Sequence, residues 1–332
     1  MTDKRYAAID LGTNSCRLLI CDQNGRELCK ETVATKLGEG LYKSGIFTPQ
    51  AMERGIDCFS NYRQLLDKYD VSEIRAIATA SCRMAANSND FIKKVWEASH
   101  IKLEIIDGYE EARLNLKGAL SHVCDKTKYV VVYDLGGGST EITLATNTAN
   151  PHILHTISIP WGARNASEAF NLVEYNEENA NRLRQDIGAR TESFVKKSYL
   201  DTYRDDVCFV ATSSTPLRLA SIIEDFGAYD RDRADGTPMD REAMDKAIAA
   251  VLHSTRAEMA DNPYIGDKRS YIFIAACVIF QTIYEHLNAD KIIASLKSAK
   301  DGIVAELIEK DSKNEKANQI SPINNRPTST RS

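Results

Sequence analysis

The sequence holds no Cys-x-x-Cys pair, no His-Glu-x-x-His stretch and no GxxxxGK followed by Ser or Thr. The first two absences remove the usual zinc frameworks, and the third removes the P-loop route to phosphate binding. No apolar run approaches the ~20 residues of a membrane span. Asp3, Lys4 and Arg5 lead straight into a strand-like run broken at Asp10, with no leader-like apolar segment. Neither a membrane partner nor a secretory leader is expected. Positive charge is also short: 42 Lys and Arg against 47 Asp and Glu leave a net charge of −5. That balance argues against the basic face of a nucleic-acid binder. A polyanionic ligand would have to rely on a few local cations, backbone N–H groups or a metal.

Two apparent motifs fail on inspection. "GGSTE" lacks the final glycine of a nucleophile elbow, so Ser139 reads as a hydrogen-bond donor. "DRDRADGTPMDR" has Ala234 at the third ligand position of a calcium loop, its glycine one place late and no closing Glu. The eight cysteines are scattered and read as reduced, half-buried thiols, which suits a cytoplasmic location.

What is present is a repeated turn. "VVYDLGGGSTEITLA" (Val131 to Ala145) runs from apolar strand to acid, three glycines, hydroxyls and a second apolar run. "YAAIDLGTNSCRLLICD" (Tyr6 to Asp22) has the same order, with Asp10-Leu11-Gly12-Thr13 mirroring Asp134-Leu135-Gly136-Gly137. Each reads as a β-hairpin with a tight polar turn, and the pair suggests two similar half-domains facing each other. Thr48-Pro49 marks a helix start. Further strands are expected at Ile74 to Thr79, Lys102 to Gly108, Val207 to Thr212 and Lys291 to Ser295. Helices are expected at Asp90 to Ala98, Tyr109 to His122, Asn176 to Lys197, Asp240 to Ala260, Tyr271 to Glu285 and Asp301 to Glu309. Strands alternating with helices imply an α/β class with mixed sheets. Residues 311–332 have no aromatics and little apolar content, and predict a disordered tail.

A glycine run after a strand exposes successive N–H groups to an oxyanion. Ser139 and Thr140 add hydroxyl donors, while ionised Asp134 and Glu141 can only accept and therefore suit a hard cation. The composition is that of a phosphate–metal site, with the glycines bare so that phosphates can lie against the backbone.

"AIDLGTNSCRLLI", "KLGEGL", "ATASCRMAANSNDF", "IIDGYEEARL" and "VYDLGGGSTEI", in this order, resemble the Ppx/GppA phosphatases of the actin–Hsp70–sugar kinase superfamily. The resemblance covers Tyr6 to about Gly162 and, more loosely, extends to Gly302. It implies two ribonuclease-H-like domains with an active-site cleft between them: residues 1–123, then 124–300, with a last helix at 301–310 packing back onto the first. It places phosphate-binding turns at Gly12, Thr13, Asn14 and Ser15 and at Gly136, Gly137, Gly138, Ser139 and Thr140. It also implies metal ligands Asp10, Asp134 and Glu141, a phosphate-gripping Arg83, and a general base at Glu111, with Glu110 as fallback. The implied cofactor is Mg²⁺, with K⁺ left open as an activator. The implied activity is release of terminal phosphate from inorganic polyphosphate. Hydrolysis of pppGpp on the same site, and a non-catalytic polyphosphate or alarmone sensor, remain the alternatives.

The sequence departs from the family pattern in two places. The family commonly carries a glycine-rich turn where this chain has "ATSSTPLRL", with Ser213, Ser214 and Pro216. The bulkier turn favours polyphosphate over the nucleotide. The long members' additional helical region is absent, so a preference for shorter chains, or a homodimer, is expected.

Overall fold

The computed structural model describes residues 4–119, 127–148 and 151–320. The first half runs β1 (Arg5–Leu11), β2 (Cys16–Asp22), β3 (Glu27–Val33), α1 (Leu41–Ser44), α2 (Pro49–Lys68) and β4 (Glu73–Ala78). It continues through α3 (Ala80–Met84), α4 (Ser88–Ser99), β5 (Leu103–Ile105) and α5 (Gly108–Ala119). The second half opens with β6 (Tyr129–Leu135), β7 (Thr140–Thr146), β8 (Ile153–Ile159), α6 (Ala163–Ala169), α7 (Glu177–Ser198) and β9 (Val207–Thr212). Then come α8 (Ser214–Ile223), α9 (Arg231–Ala234), β10 (Pro238–Asp240), α10 (Arg241–Leu252), α11 (Arg256–Asp261), α12 (Asp267–Ser270), α13 (Phe273–Leu287), β11 (Lys291–Ser295) and α14 (Ala299–Ile320). The boundary expected between residues 123 and 124 lies outside the described residues.

The strands form two mixed sheets, ordered β3-β2-β1-β4-β5 and β10-β11-β9-β6-β7-β8. Read from the β8 edge, the second order repeats the first and adds β10. In each half a three-stranded meander is extended by parallel strands, β4 on β1 and β9 on β6. The opening strands are nearly all apolar because both faces are covered. Ala7, Ile9 and Leu11 of β1 face Phe59 and Phe91, whereas Ala8 faces Leu114, Ile303 and Val304. In the second half, Val131 and Tyr133 join the core with Leu183, Ile187 and Phe280, while Val130 and Val132 face Leu116 and Ala119. Each large side chain buried this way contributes about 1.5–3 kcal/mol.

Local signals account for most boundaries. Thr48 caps α2 by accepting from the Ala51 N–H at 3.2 Å, with Pro49 at the first helical position. Two expectations are corrected. The single helix over Asp240 to Ala260 is broken, because Thr255 and Glu258 form a capping box that starts α11. The disordered tail does not begin at residue 311, since α14 continues to Ile320. Asp311 anchors it by accepting from Lys4 Nζ and Tyr6 Oη, each at 2.6 Å. Residues 321–332 lie outside the described residues.

Candidate active site

The two hairpin turns meet across a small cavity of about 50 Å³. Asp10, Gly12, Thr13, Asn14 and Ser15 line one wall, and Asp134, Gly136, Gly137, Gly138 and Ser139 the other. Within each turn a glycine N–H closes back, Gly12 onto Ser15 O and Gly136 onto Ser139 O, both at 3.0 Å. The N–H groups of Thr13, Asn14, Gly137 and Gly138 donate to no backbone or side-chain acceptor among the described residues. They are spare donors at the cavity, which is what an anion site requires.

The glycines have a further constraint. A Cβ on Gly138 would come within 2.5 Å of Thr13 Oγ1, and one on Gly137 within 3.2 Å of the Asn14 nitrogen. They are bare because the facing turn packs against them, as well as because a ligand must approach. Arg164 of α6 reinforces this contact by donating Nε to Asn14 Oδ1 at 3.0 Å. Asn165 holds the glycine turn by donating to Gly138 O at 2.9 Å.

Carboxylates gather beneath the second turn, where Glu111 and Asp134 line the cavity and Glu141 stands next to them outside its lining. One oxygen each from Glu111, Asp134 and Glu141 lie within 4.8 Å of one another. Glu111 comes from the first turn of α5, and the other two are cross-strand partners at the turn end of the β6–β7 hairpin. Burial raises Glu111 well above its ordinary 4.5, and the Glu141 charge adds to this, while Arg83 works against it. Burial, then Asp134, pushes Glu141 up to about 7. Asp134 is raised chiefly by burial, despite Arg17 and the hydrogen bond from Asn115 Nδ2 at 2.9 Å. Glu141 Oε1 accepts from Ser158 Oγ at 2.8 Å, but its buried Oε2 has no partner. Three crowded acids held towards protonation, one with an orphaned oxygen, fit a divalent cation.

Several expected residues lie elsewhere. Glu110 is turned away, bonded to Arg113 at 2.7 Å and Arg75 at 2.9 Å. Arg83 does not line the cavity; its Nη1 donates to Glu111 Oε2 at 2.9 Å and to Ile106 O at 2.7 Å. Thr140 turns its hydroxyl inward to Trp161 O at 2.8 Å. Asp10 stays outside the acidic group and pairs with Arg17 Nη1 at 3.1 Å.

Arg17 and Arg269 supply the cavity's cations, and neither was singled out from the sequence. Arg17 left a signal. It pairs with Asp10 across β1–β2 as Glu141 pairs with Asp134 across β6–β7, so the repeat puts a cation in one half where the other has an acid. Arg269, in the polar stretch "GDKRSY", left none. Asn115 was also missed. It joins Asp134 to the start of α14, where Ala299 N donates to its Oδ1 at 2.7 Å.

Comparison with known proteins is consistent with this geometry. The model of the Ppx/GppA phosphatase family matches residues 21–311. A bifunctional 3-dehydroquinate synthase/phosphatase of Fusobacterium nucleatum is 29% identical over 319 residues, 91% of this chain and 46% of that protein. The chain thus spans about half the length of that curated relative. An exopolyphosphatase from Cytophaga hutchinsonii superposes with a TM-score of 0.81 at 22% identity, covering 92% of this chain and 98% of that one. A Ppx/GppA family member from Aquifex aeolicus gives 0.75 at 22% identity, covering 94% and 98%. At these identities the superpositions establish the shared fold.

Proposed function

This chain belongs to the Ppx/GppA phosphatase family, and we propose that within it the chain is an exopolyphosphatase, releasing the terminal phosphate of inorganic polyphosphate. The observation that carries the reading is the pair of facing turns with spare N–H donors beside a largely buried cluster of three carboxylates. No aromatic side chain lines that cavity, so it suits phosphate rather than a nucleobase.

In this reading the terminal phosphoryl group lies between the turns, gripped by the N–H groups of Thr13, Asn14, Gly137 and Gly138. Arg17 and Arg269 face its charge, as cations do in phosphoryl transfer generally. Glu111 accepts a proton from the attacking water, whose oxygen bonds to phosphorus as the bridging P–O bond breaks; the shortened chain leaves with the electron pair. A carboxylate raised from its ordinary value is better matched to that role near neutrality. Arg83 holds Glu111 in place from behind. Asp134 and Glu141 would hold Mg²⁺, with Asn115 and Ser158 fixing their orientation; the bound ion would neutralise charge on the phosphate oxygens. Cys16, Cys21, Cys29, Cys58, Cys82 and Cys277 are free thiols, which supports a reducing compartment such as a cytoplasm. No helix among the described residues is long and apolar enough to cross a membrane.

The test is phosphate release with Mg²⁺ from medium-chain polyphosphate, pppGpp and ATP, using wild type and Glu111→Gln. Release from polyphosphate is expected to fall about 10²–10⁴-fold in the variant. Release from pppGpp alone would move the activity to alarmone metabolism on the same residues. Binding without release from any of the three would make the chain a sensor.

A further inference from the structure

A second cavity, of about 160 Å³, opens beside the first and shares Ser15, Arg17, Ser213, Ser214 and Arg269 with it. Its lining contains six cations, Arg17, Lys30, Arg218, Arg231, Arg269 and Lys300, and no carboxylate. Some of this charge is answered from behind. Arg17 has Asp10 at 3.1 Å, and Lys300 has Asp301 at 2.6 Å. Lys30 reaches Glu27 and Asp232 only at 3.5 Å, and Arg231 reaches Asp232 only at 3.8 Å.

Among the described residues, two of these cations have no acidic partner. Arg218 spends Nη1 on the carbonyls of Tyr264 and Ile265. Arg269 has neither a carboxylate nor a hydrogen-bond acceptor for its guanidinium among the described residues. Burial, with the Arg218 and Arg17 charges beside it, pushes Arg269 down to about 9. Half-buried like charges with little counter-charge disfavour one another, and a polyanion is what would relieve them. A phosphate chain can run continuously from the first cavity into this one, because Arg17, Arg269 and the Ser213–Ser214 turn border both.

The one aromatic ring among the second cavity's lining residues has one face taken. The Arg218 guanidinium carbon lies 3.8 Å from the centroid of the Tyr229 ring, a close cation–π stack. A base stacking on that face of Tyr229 would have to displace the guanidinium. We propose that the second cavity is a subsite for the inner phosphates of an inorganic chain whose end lies in the first, and that the Arg218–Tyr229 stack keeps a nucleobase out. This deepens, and rests on, the exopolyphosphatase reading.

The experiment compares kcat/KM for medium-chain polyphosphate, tripolyphosphate and pppGpp in wild type, Arg231→Gln, Lys30→Gln and Arg218→Ala, with circular dichroism to verify folding. Removing one charged phosphate contact should lower the ratio of medium-chain to tripolyphosphate kcat/KM by about tenfold. The Arg231 side chain is 35% exposed, and Lys30, though 11% exposed, has only pairs at 3.5 Å, so the result does not depend on Arg218→Ala folding. Arg218→Ala, by baring Tyr229, should raise kcat/KM for pppGpp. An unchanged chain-length ratio in both Arg231→Gln and Lys30→Gln would overturn the subsite. Wild-type turnover of pppGpp equal to that of polyphosphate would overturn the exclusion of the base. If the wild type releases no phosphate from any substrate, the exopolyphosphatase reading fails separately. Calorimetric titration with medium-chain polyphosphate then decides the subsite, which stands only if Arg231→Gln and Lys30→Gln weaken binding.

Discussion

Ser213 sits at φ +97°, a conformation that favours glycine. It caps α8 and borders both cavities, its Oγ accepting from the Thr215 N–H at 3.5 Å. A non-glycine residue there costs about 1–3 kcal/mol, so the strain is held at the substrate-facing turn. Ser213→Gly should stabilise the protein by about 1 kcal/mol once the long cap bond is discounted. Urea unfolding would show it as a higher midpoint at unchanged slope; a lower midpoint would mean that the hydroxyl outweighs the strain. What the sequence disclosed at this scale follows from how local each requirement is. Thr13, Asn14 and the glycines of 136–138 could be picked out as cavity-lining positions because a phosphate turn constrains neighbouring positions together, whereas Asp10, expected beside a metal, pairs with Arg17 instead. Arg83 was expected in the cavity and Arg269 was overlooked for the opposite reason. Which arginine faces the cavity depends on how the first half, the α12 region and α5 come together, and no spacing rule records that.

Among the elements, α5 matters most, because it carries Glu111, Asn115 and the charged pair that turns outward. Its position is set by α14, which it meets at backbone distance. A Cβ on Gly118 would fall 2.2 Å from Ser298 O, and one on Gly302 2.2 Å from Leu114 O. The two glycines face opposite backbones, so neither helix can accept a methyl group without separating from the other. Beyond the glycines, Glu306 of α14 bonds Arg113 Nη2 at 3.1 Å and Arg75 Nη1 at 3.3 Å. Gly302→Ala is therefore expected to destabilise by at least the ~1–3 kcal/mol of an overpacked core, although alanine is the better helix former. Calorimetry would check it, and a variant as stable as wild type would show that the contact yields freely. A lower kcat should accompany the loss, because separation of the helices moves Glu111 and releases Asn115 from Ala299. The sequence showed both helices but not the contact. Gly118 and Gly302 look like ordinary interruptions of helical patterns until the helices are seen to cross there. Composition also misled at Asp311, where a polar stretch that suggests a tail is held in a helix by Lys4 and Tyr6.

At the scale of the whole molecule, the halves are joined by exchange of their last helices. α5 follows the edge strand of the first sheet, yet its Leu116 and Ala119 lie on Val130, Val132, Ala145 and Val210 of the second. α14 follows β11 of the second sheet, yet Ile303 and Val304 lie on Ala8, Leu19 and Ile77 of the first. The hairpin repeat announced two similar halves, and the apolar strands announced sheets covered on both faces. Helical periodicity says that a face is buried, but not against which sheet: the return of the last helix to the first half was expected only from the family resemblance, and nothing in the sequence announced α5 on the second sheet. It has a thermodynamic consequence. Chains of this size commonly unfold domain by domain, but here neither sheet keeps both faces covered once the other half is lost. Unfolding the second half strips α14 of its anchor at β11, and unfolding the first removes α5 from β6 and β7. A single calorimetric transition is therefore expected, with the calorimetric and van't Hoff enthalpies in agreement. Ser213→Gly and Gly302→Ala, in different halves of the chain's contacts, should move that one transition in opposite directions. Two resolved transitions, each shifted by only one of the substitutions, would show that the halves are stable alone and that the exchanged helices merely rest on their partners.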